Sequence, residues 1–416
     1  MPGAGPVDAA AVVEAVVRDS YGRLVAFLAT VTHDIAEAED ALSEALAAAL
    51  RTWPERGIPD RPDSWLVSVA RRNIIALARH RDVAERALPM LDRLAAPSGE
   101  DSMSDDATIP DRRLQLLFAC AHPAVDPTMR SPLMLQAVLG LDAVRIAQAF
   151  LVQPSTMGQR LVRAKTKIKD AGIPFAIPAA NELADRLGAV LDAVYAAYGS
   201  GWSDPGGSDE KRAGLAAEAI RLGRLLTSLL PEQPETHGLL ALMLHSHARS
   251  AARRNAAGEF VALEQQDVSR WSRELIAEAE RHLSTALGLQ HVGRYQLQAA
   301  VQSVHNLRAA TGRTDWAAIA GLYDGLVRFD PSVGVQVARA AAHAEAAGAG
   351  QGLRLLEALP EDRVAGYQPF HAVRASCLRR VGREDEALAA ARRAIELSDD
   401  AEVRRYLHRV YLASQP

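Results

Sequence analysis

The residues best suited to chemistry in this chain are cations set on a helical spacing. Gln159, Arg160, Arg163, Lys165, Lys167 and Lys169 share the stretch TMGQRLVRAKTKIK, and no acid intervenes between Asp142 and Asp170. Guanidinium, ammonium and amide groups donate to base edges and neutralise phosphate, so the chemistry on offer is nucleic-acid binding rather than bond making. At about 100° per residue Met157, Leu161, Ala164 and Ile168 fall in one arc, which leaves Gln159, Arg163 and Thr166 pointing outward. Thr156, Gly158 and Arg160 flank them near the helix N-terminus, the part that reaches base edges in a major groove. Lys165, Lys167 and Lys169 are spaced to hold the backbone. A solvated cationic face is the bland alternative, but such faces usually mix signs.

Other residues with chemical potential form no set. No nucleophile, base and oxyanion group come together, and no enzymatic role is expected. Gly199, Gly201, Gly206 and Gly207 lack a following G-K-[ST] and a preceding strand, so a flexible turn is expected there rather than a phosphate loop. His245 and His247 would stand about 200° apart on a helix and cannot share a metal. Cys120 and His122 in FACAHP make at most half a metal site, so neither metal nor cofactor is implied, and Cys120 reads as a buried thiol.

The cationic stretch needs a scaffold. Residues 143 to 151 form a short helix with Val144, Ala147 and Leu151 on one stripe, Val152-Gln153-Pro154 breaks it, and Ser155 or Thr156 can cap the next. Two short helices joined by a tight turn make a helix-turn-helix. A helix from Arg112 to Pro123 and another from Ser131 to Gly140 precede it.

A second set of charges lies upstream. Asp34 caps a helix whose buried stripe is Ile35, Ala38, Leu42, Ala45, Leu46, Ala49 and Trp53, while Glu37, Asp40 and Glu44 form an acidic ridge on another face. The ridge lacks the interleaved lysines that would pair within the helix, which suits a basic protein partner. Pro54 to Asp63 holds three prolines and a glycine and reads as a loop. Ser64 then caps a helix with Leu66, Ala70, Ile74 and Leu77 inside and Arg71, Arg72, Ile75 and Arg79 outside, a second nucleic-acid surface.

At 416 residues the chain exceeds one core. Its 49% hydrophobic content, rich in Ala and Leu with 5% aromatics, points to an all-α protein. A net charge of −4 says little, because the cations are clustered. No apolar run of about 18 residues and no basic leader occur, so a cytoplasmic protein without membrane association is expected. Cys120 and Cys377 lie too far apart in sequence to imply a disulfide framework.

Two small modules are therefore expected at 8–81 and 112–171, joined by a flexible acidic linker over 82–111 that carries Asp92, Glu100, Asp101, Asp105, Asp106 and Asp111. Together AEDALSEALAAALRTWP, the proline-rich loop, SWLVSVARR and STMGQRLVRAK resemble regions 2 and 4 of the extracytoplasmic-function sigma factors of bacterial RNA polymerase. The resemblance implies that the first of these segments docks on the β′ clamp helices, that the loop captures a flipped base, and that SWLVSVARR meets the minus-ten element. It also implies that TMGQRLVRAK reads the minus-thirty-five element, with the second module near the β flap. Arg72 stands where many members have Asn.

The remaining segment, 178–416, is similar to the subgroup with a long tetratricopeptide-like extension, through EAIRLGRLL, GLLALMLHSHAR, ALEQQDVSRW and YQLQAAVQSVH. Tyr195 to Trp202 lacks the Asn and Glu usual in that subgroup's aromatic turn. Independently, a shift of 34 residues brings Gly348 onto Gly382 and Ala341 onto Ala375, the tetratricopeptide period. Helical arrays bind partners on their concave faces, so an unknown ligand or protein is a further expected partner. Trp202, Trp271 and Trp316 read as packing residues. The reading is thus a promoter-recognising polymerase subunit controlled in cis by its extension. The alternatives are a helical-repeat scaffold and a one-component regulator that binds operators without polymerase.

Overall fold

A computed structural model describes residues 9–80, 109–150, 152–202, 210–398 and 400–412. Among them the chain is all-α, with no strand and an isolated antiparallel bridge between Arg254 and Phe260. It divides into two compact units, Met1–Gly201 with Ala217–Leu222, and Trp202–Ala216 with Gly223–Pro416.

The first unit opens with α1 (Ala9–Thr32), α2 (Ile35–Arg56) and α3 (Pro62–His80). The Asp34 carboxylate accepts from the N–H groups of Ala36 and Glu37 and so starts α2. The buried face of α2 matches the expected stripe, with Ala41 added and Leu46 only half-buried. The expected loop of Pro54 to Asp63 is shorter than its prolines suggest. Pro54 lies inside α2, Gly57 at φ +84 ends that helix, and Pro62 opens α3 in the first turn, where a missing N–H costs nothing. Ser64 is therefore inside α3 rather than its cap, and the start of α3 is held by Asp63, which accepts from Arg23 and Ser20 of α1. The expected linker lies mostly outside the described residues. Its last residues are anchored, with Ile109 buried and Asp111 bonded to Arg113.

The second module is α4 (Arg113–Cys120), α5 (Pro127–Leu139), α6 (Ala143–Ala149) and α7 (Pro154–Asp170). α5 begins before Ser131, because Asp126 caps it and Pro127 fits its first turn. In α6 the inward residues are Ile146 and Ala147, while Val144 is exposed; Leu151 lies outside the described residues. α7 starts at Pro154 after Gln153, with no side-chain cap, so neither Ser155 nor Thr156 serves as one. The proline fixes the helical φ of its first residue and substitutes for that signal.

The two modules pack into one body, α1 lying against α4 and α5, and α2 against α7. The approach of α1 to α5 needs a glycine: a β-carbon at Gly22 would fall 1.9 Å from the Val138 carbonyl oxygen. Next to it the Tyr21 ring covers Gly140, which ends α5 in the left-handed conformation at φ +72. Helix α8 (Ala180–Trp202) is fastened to the same body. Ser131 donates to the Ala193 carbonyl at 2.6 Å, and Arg186 donates to the Phe118 carbonyl at 2.9 Å. Gly199 to Gly201, expected as a turn, continue this helix, and Gly206 and Gly207 lie outside the described residues.

Helix α9 (Glu210–Leu229) contributes to both units. The second unit continues through α10 (Pro234–His247), α11 (Arg273–Gly288), α12 (Arg294–Asn306), α13 (Arg308–Thr311) and α14 (Trp316–Leu326). It ends with α15 (Val333–Ala347), α16 (Ala349–Glu357), α17 (Glu361–Val364), α18 (Gln368–Arg380), α19 (Glu384–Glu396) and α20 (Ala401–Tyr411). Successive helices pack pairwise, as α10 does with α11 and α12 and α18 with α19. Gly348 and Gly382 occupy equivalent turns, between α15 and α16 and between α18 and α19, at φ +95 and +81. Small residues such as Ala340, Ala375, Ala391 and Ala394 let these pairs approach. The segment between α10 and α11 is an irregular excursion of short 3-10 turns, and its tip meets α20 through Phe260 on Tyr406 and Glu259 on Arg409. Trp271 is buried under Arg308, and Trp316 meets His305 edge to face and packs on the cluster of Val301, Ile319, Ala320 and Ala342; the Trp202 side chain lies outside the described residues.

Candidate nucleic-acid interface

The site is built on α7. Met157, Leu161, Ala164 and Ile168 are its buried residues, as their spacing requires, and they fix which way every other side chain faces. Gln159, Arg160, Arg163, Thr166 and Lys167 are exposed, with Thr156 and Gly158 half-buried at the helix start. Arg160, Arg163 and Lys167 line one wall of a cleft of about 650 Å³, whose other wall carries Asp126 and Thr128 at the start of α5. Asp126 is held below the usual carboxylate range by its hydrogen bonds from Thr128, with Arg130 and Arg160 adding attraction. Arg160, Arg163 and Lys167 make no ion pair among the described residues, so three cations and one capped acid face this cleft.

Lys165 differs from the other cations. It is a buried residue of α7, and its ammonium donates to Glu39 of α2. One turn on, Lys169 pairs with Asp34 at 2.8 Å. In this conformation Lys165 is turned away from solvent and cannot meet a phosphate. The spacing of α7 explains this: Lys165 and Lys169 lie on the flank next to the buried arc, where α2 packs. Burial pushes the Glu39 carboxyl above the usual range, and Lys165 offsets only part of that. The Tyr21 phenol nearby is raised by burial, then by Glu39 and Asp40.

On α2 the expected ridge is present: Asp40 and Glu44 are exposed and Glu37 is half-buried. Glu39, which sequence periodicity did not single out, stands between that ridge and the buried stripe. No local signal marks it, because its partner is 126 residues away. On α3, Arg72 is exposed with its Nε donating to the Ser68 carbonyl at 3.2 Å, and Arg71 is half-buried. The Arg79 and Leu77 side chains lie outside the described residues, while Leu66, Ala70 and Ile74 are buried. Trp53 and Trp65 meet edge to face at 5.4 Å, which fixes α3 on α2. Val162 is also missed by a search for charges: it is 62% exposed on the outward side of α7, beside Gln159 and Thr166.

Cys120 and Cys377 are both buried and free, and burial raises both thiols. In the second unit His245 is buried and pushed down to about 3 by burial and by Arg249, which donates to Asn306 at 2.7 Å. No group of three or more potential metal ligands occurs among the described residues, nor does any of their helices have the length and apolarity to cross a membrane.

Residues 16–83 match the sigma-70 region 2 family, and residues 186–287 match a family of unknown function, DUF6596. The uncharacterized protein R00370 of Rhizobium meliloti (strain 1021) is 40% identical over 385 residues, covering 91% of this chain and 90% of that protein. No solved structure matches.

Proposed function

We propose that this chain, which belongs to one family with R00370 and carries a sigma-70 region 2 domain, is a sigma subunit of the extracytoplasmic-function type with a helical C-terminal extension. A sigma-70 region 2 works with core RNA polymerase on promoter DNA, and the match over residues 16–83 is the observation that carries the reading. It falls on α1 to α3, the elements that hold the acidic ridge and Arg71 and Arg72.

In the detailed reading, 8–81 is region 2, 82–111 an acidic connector, 112–171 region 4, and 178–416 a tetratricopeptide-like extension. Glu37, Asp40 and Glu44 dock on the β′ clamp helices, Arg71, Arg72 and Arg79 serve the minus-ten element, and region 4 sits by the β flap. The outward side of α7 supports the minus-thirty-five assignment, since Gln159, Arg160 and Arg163 are exposed near its N-terminal half. Lys167 contacts phosphate, and Lys165 joins it once released from Glu39. The extension acts in cis, being required for transcription. Support for close coupling comes from Ser131 and Arg186, which fasten α8 to the second module.

Transcription in vitro with purified core polymerase and a promoter library tests the reading. Promoter-specific transcripts that depend on the protein are expected. Arg160→Ala or Arg163→Ala should relax one base position at a cost of about 1–3 kcal/mol. A protein that neither binds core nor directs initiation is a scaffold or an operator-binding regulator instead.

A further inference from the structure

In the second unit a cavity of about 450 Å³ lies between α16, α17, α18 and α19. Small-molecule sites usually span about 300–1,000 Å³, so its size is that of a ligand site. Leu356, Val364 and Phe370 are buried residues of its wall and make part of it apolar. His371 belongs to the same wall and meets Phe370 edge to face at 5.2 Å between ring centres. Nε2 of this buried histidine stands 3.1 Å from the Ala365 carbonyl oxygen, which can only accept. In the neutral ring Nε2 therefore carries the proton and Nδ1 is an acceptor. Nδ1 is buried with no partner among the described residues, and an unmet acceptor of that kind costs stability.

The rest of the wall carries both signs. Arg374 of α18 is half-buried and makes no ion pair among the described residues, although it is near enough to Glu386 to attract it. Arg393 of α19 is exposed and already pairs with Glu396 at 3.0 Å. Among the acids, Glu361 makes no ion pair among the described residues, and Glu357 reaches Arg383 only at 3.7 Å. A guanidinium offers paired donors that match a carboxylate, and the two acids favour an ammonium. Simpler ligands leave part of this wall unmet. Phosphate or a nucleotide brings negative charge beside Glu357 and Glu361, and like charges at close range repel. A plain carboxylic acid leaves both acids without a cation, an amine leaves Arg374 without an anion, and a neutral apolar molecule leaves all of them.

We propose that this cavity binds a free α-amino acid with an apolar side chain. The carboxylate meets Arg374, the ammonium meets Glu361 with His371 beside it as a neutral acceptor, and the side chain lies on Leu356, Val364 and Phe370. Both ends of the ligand are then charged and paired, and its body is removed from water. The proposal goes beyond the sigma reading and does not rest on it, because binding is a property of this chain alone.

Calorimetric titration of the full-length protein with L-leucine and L-phenylalanine tests it. At least one should bind saturably with a Kd below about 1 mM. Removing either charged end should weaken binding by about tenfold or more. Isocaproate and isoamylamine are the two halves to compare with leucine, and hydrocinnamate and phenethylamine those to compare with phenylalanine. Arg374→Gln should lower affinity by a similar factor. Ala365→Phe, which adds bulk to the cavity wall from an exposed position, should abolish binding. Circular dichroism and the melting temperature without ligand should stay unchanged in both variants, and if one fails to fold the other decides. Hydrogen exchange with the bound amino acid should show added protection in α16 to α19. No binding below about 1 mM by either amino acid overturns the proposal. So does an acid or amine that binds as well as its parent amino acid, inorganic phosphate that competes with it, a folded Ala365→Phe protein that binds unchanged, or protection confined to other helices.

Discussion

Replacing Lys165 by methionine keeps most of the side chain's bulk and removes its charge, leaving Glu39 ionised without its partner in a site where the two side chains are 14% and 9% exposed. Breaking one side of a buried pair usually costs about 3–5 kcal/mol. Here the loss has a ceiling, because Glu39 can escape by taking up a proton. From an ordinary value of about 4.3, neutralising it at pH 7.5 costs at most roughly 4 kcal/mol at about 1.36 kcal/mol per unit. Glu39 is already raised by burial, so the expected loss is about 2–4 kcal/mol. In a unit of this size each kcal/mol moves the melting temperature by about 2–4 °C, which puts a 3 kcal/mol loss at roughly 6–12 °C.

The pH dependence has a definite sign. A carboxyl raised in the folded state binds more protons there than in the unfolded chain. Its contribution is therefore most favourable below the unfolded value and is lost as pH rises through the folded one. Lys165→Met enlarges that shift, so the variant should lose less stability at pH 5.5 than at pH 8. Lys165→Met with Glu39→Gln should recover most of it, since a neutral pair of similar shape leaves no buried charge. Calorimetry on the four proteins of this cycle measures the coupling. A loss that is independent of pH, or a double variant no better than the single, would refute the account of Glu39 as a buried ion held by Lys165.

Three further outcomes follow from the packing. With α7 on the proposed minus-thirty-five element, exposed Val162 should touch a thymine methyl, worth about 0.8 kcal/mol or roughly fourfold; deoxyuridine in place of that thymidine should weaken the parent but not Val162→Ala, and equal effects on both would discard the contact. Gly22→Ala should lower the melting temperature of the first unit by several degrees, because its β-carbon would meet the Val138 carbonyl, whereas Gly188→Ala, in open space within α8, should raise stability by about 0.5–1 kcal/mol. In the second unit His245 is lowered to about 3, so it binds fewer protons folded than unfolded and its contribution is lost as pH falls from about 6.5 towards 3; His245→Asn should flatten that part of the stability profile, and an unchanged slope in calorimetry would assign it elsewhere.

Much of the fold was legible because it rests on local periodicity. The arcs of α2, α3 and α7 were readable from apolar spacing, and Gly348 and Gly382 marked the same turn twice. Boundaries were less so where proline acts in two ways. Pro54 read as a breaker but is tolerated inside α2, and Pro62 and Pro154 open helices in place of the expected Ser64, Ser155 and Thr156. Val144 misled because in a short helix Ile146 and Ala147 suffice to fill the contact.

The candidate site shows a different limit of sequence reasoning. An acid-free run suits cations that meet phosphate, and this holds for Arg160, Arg163 and Lys167, which make no ion pair among the described residues although Arg160 is near enough to Asp126 to attract it. It fails for Lys165 and Lys169, because the nearest acids in space, Glu39 and Asp34, lie on another module and are far away along the chain. Helical spacing puts Lys165 and Lys169 on one flank of the buried arc, about 70° and 110° from its centre, and Arg160 and Lys167 about 70° and 90° from it on the other flank, so which set is covered depends on where a second helix packs. A lysine so close to an apolar edge is covered whenever a second helix packs there, and its long stem favours that position. The same reasoning applies to Glu39, one residue short of the exposed ridge and one residue past buried Ala38. Charges at the border of an apolar arc are where a solvated face and a packed face cannot be told apart locally. In this chain those border positions are where the two modules are tied together.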